Sequence, residues 1–314
     1  MSLKWRIPAV LCALGCTFVS GACESRHDLI QQAEARRKLW GYPAPRIVQD
    51  LVYAEYGQRR LKLDVYLPPD QPGAVPGIIV VRGGAWRMGD KEFFGYIAGR
   101  LAMHGFVAAS IEYRTSDEAK FPAAVQDVKA AVRWLRAHAV SYGVNPDTIG
   151  AIGGSAGAHL VGMLATSGGV KALEGDGGNS EASSDVQAVV AMAGAYDLQS
   201  KQAVRPEIVR AVTEFIGSPL EAHAEALVAA SPVSYVSNRS APLLLLHSPT
   251  DPDVPFGLSV EMEQAYRRAG AAVMLRAIDA PGIHGFWGDP QGAKLSETMR
   301  LAVEFLRKNL RVPK

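Results

Sequence analysis

The sequence predicts an α/β fold, with a mostly parallel central sheet that is flanked by helices on both faces. The chain of 314 residues has 48% hydrophobic and 20% charged residues, as is typical of a folded globular protein. Apolar runs without polar alternation recur along it, which indicates strands that are buried on both faces. Amphipathic helical patterns lie between these runs, and such alternation favours a parallel sheet covered by helices.

The individual elements follow from the same patterns. Residues 47–56 and 60–67 are rich in β-formers and are separated by Gly57, which predicts an antiparallel hairpin at a sheet edge. The apolar runs predict buried strands at residues 77–81, 106–111, 149–152, 186–193, 243–246 and 273–278. Helical periodicity predicts helices at residues 94–104, 122–138, 156–166, 258–269 and 295–310. One domain over residues 46–314 accounts for all of them.

Two segments interrupt the alternation. Residues 168–185 are rich in Gly, Ser and acidic residues, which predicts a mobile surface loop. Residues 198–231 contain helical patches broken by Pro206 and Pro219. We interpret this second segment as an insertion that caps a pocket.

The amino-terminal segment has the order of a secretory signal. Lys4 and Arg6 precede an apolar run over residues 7–19, and small residues follow it up to Ala22. That run is shorter than the ~20 residues of a membrane-spanning helix, so no permanent membrane span is expected. We expect residues 1–22 to be removed, residues 23–45 to form a linker and surface helix, and the protein to be exported to the periplasm or beyond. A lipid anchor on Cys23 is the alternative.

Charge and ligand spacing exclude several classes of protein. Lys and Arg number 33 against 31 Asp and Glu, and no basic run stands out, which argues against nucleic acid as a partner. No histidine pair has zinc-ligand spacing with a supporting Cys or Glu, and no phosphate-binding loop is present in the sequence. We therefore predict neither a catalytic metal nor a nucleotide cofactor.

A candidate nucleophile lies in the pattern G-x-S-x-G at residues 153–157, with Ser155 at its centre. A predicted strand precedes the pattern and a predicted helix follows it, which is the setting of a serine exposed on a sharp strand-to-helix turn. The alternative is a glycine-rich turn in which Ser155 only caps the helix.

A serine hydroxyl needs a base and an acid that orients the base. Asp251 follows the strand at 243–246 and is our candidate acid, with Asp253 as the competitor. His284 follows the strand at 273–278 between glycine-rich neighbours and is the candidate base. The order Ser, Asp, His, each after a strand, is that of α/β-hydrolases. Structural roles are expected for His104, His138, His159 and His247.

The segment R-G-G-A-W at residues 82–86 directly follows a predicted strand. Its backbone N–H groups, together with that of Ala156, are candidates for an oxyanion hole. The alternative is an ordinary glycine turn.

Several motifs together resemble the carboxylesterase family that includes bacterial feruloyl and acetylxylan esterases, and also kynurenine formamidases. The resemblance spans residues 46–310 and rests on L-D-V-Y-L-P at 63–68, R-G-G-A-W at 82–86, G-D-K at 89–91, E-Y-R at 112–114, F-P at 121–122, Q-D-V at 126–128, G-G-S-A-G-A-H-L at 153–160 and A-S-P at 230–232. It implies an α/β-hydrolase fold, a triad of Ser155, Asp251 and His284, and oxyanion donors at Gly84 and Ala85.

Arg82 is the departure from this resemblance, because the family normally has His there. We favour an Arg82 that braces the loop by hydrogen bonds. The sharper hypothesis is that its guanidinium faces the pocket and attracts a carboxylate-bearing ester. Trp86 has two alternative roles, contact with the substrate or packing of the loop, and the sequence does not decide between them.

These observations predict a serine carboxylesterase that hydrolyses small acyl or aryl esters, such as acetyl or feruloyl groups on plant polysaccharide, without a cofactor. An aryl formamidase would use the same residues on an N-formyl amide, and a peptidase is a further alternative. A silent hydrolase-fold binding protein would result if Arg82 distorted the oxyanion loop.

Overall fold

The computed structural model describes residues 44–71, 73–200, 202, 205–217, 224–287 and 293–310. Within them, eight strands form one sheet in the order β1-β2-β4-β3-β5-β6-β7-β8. Strand β2 runs antiparallel to both of its neighbours, and the remaining pairs are parallel. The strands are β1 (Arg46–Tyr56), β2 (Arg59–Leu67), β3 (Val75–Val81), β4 (Val107–Ile111), β5 (Val144–Gly154), β6 (Ala188–Met192), β7 (Leu243–His247) and β8 (Val273–Ala277).

The helices of the described residues follow the predicted alternation. They are α1 (Gly95–Met103), α2 (Ala123–Ala137), α3 (Ala139–Tyr142), α4 (Ala156–Thr166), α5 (Pro206–Ile216), α6 (Ala224–Ala229), α7 (Phe256–Ala269) and α8 (Ala293–Asn309). Pro206 does not break the helical patch, because it opens α5, where the missing N–H costs nothing. The predicted fold class, a mainly parallel sheet between helical layers, is confirmed. Among the described residues, no helix has both the length and the apolar character needed to cross a bilayer.

Alternate residues of the central strands pack into two separate hydrophobic cores, one on each face of the sheet. On β3, Ile79 and Val81 pack with α2, α4 and α7 on one face, whereas Ile78 and Val80 pack with α1 and α8 on the other. This follows from the two-residue period of a strand, and it explains why the central runs are apolar without alternation.

Strand β8 departs from that rule. Its residues are partly buried or exposed, although the apolar run predicts a strand buried on both faces. The reason is its place at the edge of the sheet, where only one neighbour covers it.

The acidic loop over residues 168–185, for which the composition predicts mobility, is linked to α2 by ion pairs. The buried Lys129 ammonium lies 2.8 Å from the Glu174 carboxylate, and Arg133 lies 3.2 Å from the same carboxylate. Lys129 also donates to the Ser167 carbonyl. A buried cation needs such partners, so the loop carboxylate and the helix cations stabilise each other.

The carboxyl ends of the parallel strands meet at one edge of the sheet, and the candidate catalytic residues follow them there. Ser155 comes directly after β5, and its backbone N–H donates to the Met192 carbonyl at the end of β6. Asp251 and His284 follow β7 and β8. The predicted signal peptide at 1–22, and the linker and surface helix at 23–45 up to residue 43, lie outside the described residues.

Candidate active site

Ser155 lies on a strained turn between β5 and α4. Its φ of 55° and ψ of −122° are unusual for a residue with a side chain. The flanking glycines make the turn possible, because a Cβ on Gly153 would lie 2.4 Å from the Gly157 carbonyl oxygen, and one on Gly157 would lie 2.1 Å from that of Val81. The Ser155 side chain forms no capping hydrogen bond with α4, so the hydroxyl is left for other partners.

His284 joins the Ser155 hydroxyl to the Asp251 carboxylate. Its Nε2 lies 2.8 Å from Ser155 Oγ, and its Nδ1 lies 2.8 Å from Asp251 Oδ2. A carboxylate only accepts hydrogen bonds, so the proton of the neutral ring is on Nδ1 and Nε2 accepts from the serine. The Trp287 ring packs edge-on against His284, 5.5 Å away. The three predicted residues are thus brought into one hydrogen-bonded chain.

The Asp251 carboxylate is held from both sides. Oδ1 accepts the backbone N–H groups of Asp253 and Val254, each at 2.9 Å. Burial alone would raise the pKa of Asp251, but hydrogen bonds from His247 and His284 outweigh burial and hold that pKa well below its usual range. The competitor, Asp253, instead forms an ion pair with Arg205 at 2.8 Å. Asp251, and not Asp253, is thus the carboxylate that contacts His284.

Residues 82–89, which we call the oxyanion loop after their predicted role, pack closely against the turn that carries Ser155. Gly84, Ala85 and Trp86 all have positive φ, at 107°, 51° and 58°. The Gly84 carbonyl accepts the N–H groups of Arg87 and Met88, which closes the turn. A Cβ on Gly83 would lie 3.1 Å from the Ser155 Cβ, so the loop backbone runs directly beside the nucleophile.

Arg82 braces this loop from inside. Arg82 is 1% exposed, and its guanidinium donates from Nη1 to the carbonyls of Gly83 and Met88. It also lies 4.0 Å over the Tyr113 ring, whose hydroxyl donates to the Gly83 carbonyl. The bracing arrangement that we favoured from the sequence is the one observed.

Trp86 connects the loop to α4 and the insertion. Its indole is buried, stacks on Phe215 of α5, and donates from Nε1 to His159 Nδ1 at 3.2 Å. His159 Nε2 in turn donates to the Ala230 carbonyl at 2.7 Å. Burial, partly opposed by this bond, lowers the pKa of His159 to about 4, so the ring is neutral. The side chains of Trp86 and Arg82, suggested as substrate contacts, therefore both pack inside the protein.

His247 is the site residue that sequence reasoning missed. It ends β7 and contacts Asp251 at 3.3 Å, although its place at a strand end suggested a purely structural role. The available signal was its spacing, at the end of the strand four residues before the candidate acid.

The insertion forms one wall of a mainly apolar cavity of about 160 Å³ beside residues 248–255, which we call the acid loop after the predicted role of Asp251. Val254, whose N–H holds Asp251, lines the cavity. The other apolar walls come from the segment after β6 and from α5 and α7: Ala195, Leu198, Ile208, Val212 and Leu258.

Comparison with known proteins assigns this chain to a family. The BD-FAE family model matches residues 63–266. Esterase LipQ of Mycobacterium tuberculosis is 34% identical over 272 residues, which cover 82% of this chain and 64% of LipQ. The probable carboxylic ester hydrolase LipM of the same organism is 34% identical over 211 residues, 66% of this chain and 48% of LipM. The matches thus span about half to two thirds of these relatives.

Solved structures show the same fold. A truncated carbohydrate esterase from gut microbiota is 27% identical, with a TM-score of 0.77 over 86% of this chain and 98% of that chain. Esterase Est2 of Thermogutta terrifontis is 28% identical, with a TM-score of 0.71 over 85% of this chain and 92% of that chain. By its sequence and its architecture, this chain belongs to the BD-FAE family of α/β-hydrolases.

Proposed function

We propose that this protein is a serine carboxylesterase that hydrolyses small acyl or aryl esters through an acyl-enzyme. One observation carries the proposal: Ser155, His284 and Asp251 form a continuous hydrogen-bonded chain with both bonds at 2.8 Å. The relatives named as esterases support the same reaction class.

In the proposed reaction, Ser155 Oγ attacks the ester carbonyl while its proton passes to His284 Nε2. The Asp251 carboxylate stabilises the imidazolium that forms and keeps its Nδ1 proton in place. His284 then gives the proton to the leaving alcohol, and water hydrolyses the acyl-enzyme by the reverse sequence of proton transfers.

The backbone N–H groups of Gly84, Ala85 and Ala156 are the proposed donors to the oxyanion of the tetrahedral intermediate. The support is positional. The oxyanion loop runs beside Ser155, and Ala156 is the first residue of α4, where a backbone N–H has no partner within the helix.

Small acyl or aryl esters, such as those of acetyl or feruloyl groups on plant polysaccharide, are the proposed substrates. Two comparisons support this choice. One structural neighbour is a carbohydrate esterase, and Est2 has been solved with propionate and with butyrate bound. An exported enzyme would reach a polysaccharide outside the cell. We therefore also propose that residues 1–22 direct secretion. Fractionation of cells that express the full chain will test this proposal.

The first experiment measures p-nitrophenol release from p-nitrophenyl acetate by the chain without residues 1–22. Ser155→Ala is expected to abolish turnover. Ser141→Ala is the matched control, because Ser141 is exposed in α3, and it should retain the full rate. A folded wild-type protein that turns over neither this ester nor a panel of acetyl and feruloyl esters would overturn the esterase proposal. A Ser155→Ala protein with the wild-type rate would overturn the serine mechanism.

A further inference from the structure

His247 lies behind the Asp251 carboxylate, on its protein-interior side. Its side chain is 0% exposed, and its Nε2 lies 3.3 Å from Asp251 Oδ2. The same Nε2 lies 3.0 Å from the Val254 carbonyl oxygen, and Nδ1 lies 2.7 Å from Ser259 Oγ on α7. Both ring nitrogens are therefore in hydrogen-bond contact with defined buried partners.

These partners determine where the proton of the neutral ring lies. The Val254 carbonyl oxygen only accepts, so Nε2 carries the hydrogen, and Nδ1 accepts the Ser259 hydroxyl proton. Ser259 is in turn in hydrogen-bond contact with the buried Tyr196 hydroxyl, which accepts the Gly194 N–H at 3.2 Å. A flip of the imidazole would break two buried hydrogen bonds, so Nε2–H stays directed at the Val254 carbonyl, with Asp251 Oδ2 3.3 Å from the same nitrogen.

The Asp251 oxygen that faces the catalytic base is consequently shared between two histidines. Oδ1 is occupied by two backbone N–H groups, whereas Oδ2 faces both His284 Nδ1 and His247 Nε2. The carboxylate plane is already fixed through Oδ1. The separate contribution of His247 is thus to withdraw part of the negative charge from Oδ2, the oxygen that stabilises protonated His284.

The titratable or charged side chains linked to this carboxylate by the contacts described are the two histidines, Tyr196 beyond Ser259, and Asp253, whose charge is balanced by Arg205. The Phe256 ring lies 5.6 Å from the His247 ring. At a buried site the dielectric is low, so an N–H group beside a carboxylate has a large effect on the neighbouring base.

We propose that His247 is a positioning residue of the catalytic group. The Nε2–H of His247, which donates to the Val254 carbonyl, lies 3.3 Å from Asp251 Oδ2 and lowers the negative charge of the oxygen that faces His284. The acid limb of the pH profile therefore falls at a lower pH than Asp251 alone would give. This inference rests on the proposed function, in which Asp251 acts through His284.

The test is the pH profile of kcat/KM for p-nitrophenyl acetate. In His247→Leu, which removes the donor, the midpoint of the acid limb should move to higher pH by about half a unit or more, because Oδ2 regains charge and His284 holds its proton more tightly. In His247→Gln, whose amide can donate to the same oxygen, the midpoint should return towards the wild-type value. His138→Leu is the matched control, since His138 contacts Trp134 at the end of α2 and should leave the profile unchanged.

The direction of the shift separates this role from a merely structural one. A distorted loop that displaced Asp251 would deprive His284 of its counter-charge and move the midpoint to lower pH, and that result would overturn the inference. An unchanged midpoint in a folded, active His247→Leu protein would overturn it too. The proposed function fails separately, through an inactive wild-type protein or an active Ser155→Ala protein.

A second measurement does not depend on how the variants fold. In the wild-type protein labelled with ¹⁵N-histidine, NMR should show His247 with its proton on Nε2 and an unprotonated Nδ1 across the active pH range. A proton on Nδ1 instead would overturn the inference, because Nε2 would then carry no hydrogen beside Asp251 Oδ2.

Discussion

The oxyanion loop, residues 82–89, and the acid loop, residues 248–255, are held in different ways. Left-handed backbone and close contacts shape the first, with Gly84 at a φ of 107° and Arg82 filling its interior. Side-chain hydrogen bonds shape the second, centred on the Asp251 carboxylate and the backbone N–H groups that it accepts. We therefore expect the oxyanion loop to be sensitive to added atoms and the acid loop to lost polar groups.

The largest effect is expected in the acid loop. Asp251→Asn should lower kcat by about 10³–10⁴-fold, because an amide NH₂ facing Nδ1 favours the wrong tautomer of His284. The control is Asp253→Asn, which removes a charge two residues away but leaves its backbone N–H bond to Asp251. Equal losses of kcat in the two variants would mean that Asp251 has no special part in the acid loop.

A smaller effect is expected from an added methyl group in the oxyanion loop. In Gly84→Ala the new Cβ would lie 2.1 Å from the Met88 carbonyl oxygen, so the loop must move and its N–H donors with it. We expect kcat to fall by about 10²–10³-fold.

The control, Gly282→Ala, tests the left-handed conformation alone, because Gly282 has a φ of 69° with open space around it. It should cost about 1–2 kcal/mol of stability and leave kcat near wild type. Wild-type kcat in Gly84→Ala would contradict the comparison.

The contact between the oxyanion loop and the insertion should appear in the pH dependence of stability. Burial lowers the pKa of His159 from 6.5 to about 4, so the unfolded chain binds one more proton than the native protein between these values. This contribution to stability is complete above pH 6.5 and is lost as the pH falls, by about 3 kcal/mol at pH 4. Urea unfolding at several pH values should show a shallower dependence for His159→Gln, and equal slopes would contradict the assignment.

The smallest effect concerns the substrate preference attributed to Arg82. The Arg82 guanidinium donates to the Gly83 and Met88 carbonyls and is not free to bind a substrate carboxylate. In Arg82→Gln, the ratio of kcat/KM for a neutral ester to that for its acidic analogue should therefore stay within about twofold of the wild-type ratio. Both kcat/KM values fall if the loop is less well braced. A selective loss on the acidic ester would show that Arg82 attracts the substrate carboxylate after all.

The sequence patterns predicted the fold well because the spacing of apolar residues and the positions of glycines can be read from short stretches of sequence. Ser155, Asp251 and His284 could be nominated for the same reason, since each follows a strand. The sequence favoured Asp251 over Asp253, but both lie in one turn, and only the direction of each side chain in the structure distinguishes them. His247 was missed because its significance depends on a contact across that turn.

Other failures have the same origin in three-dimensional contacts. The composition of residues 168–185 predicts a loop correctly, but the pairing of Glu174 with Lys129 links residues 45 positions apart. An apolar run such as β8 does not reveal whether one neighbour or two will cover it.

The two outer strands of the sheet carry different safeguards against self-association. Edge strands expose unpaired backbone groups that can recruit another chain. On β1, Asp50 has a φ of 59° at an irregularity in the register, which interrupts a flat edge. On β8, the exposed Arg276 interrupts an otherwise apolar strand. Charge at one margin and a kink at the other thus disfavour growth of the sheet by addition of strands from further copies.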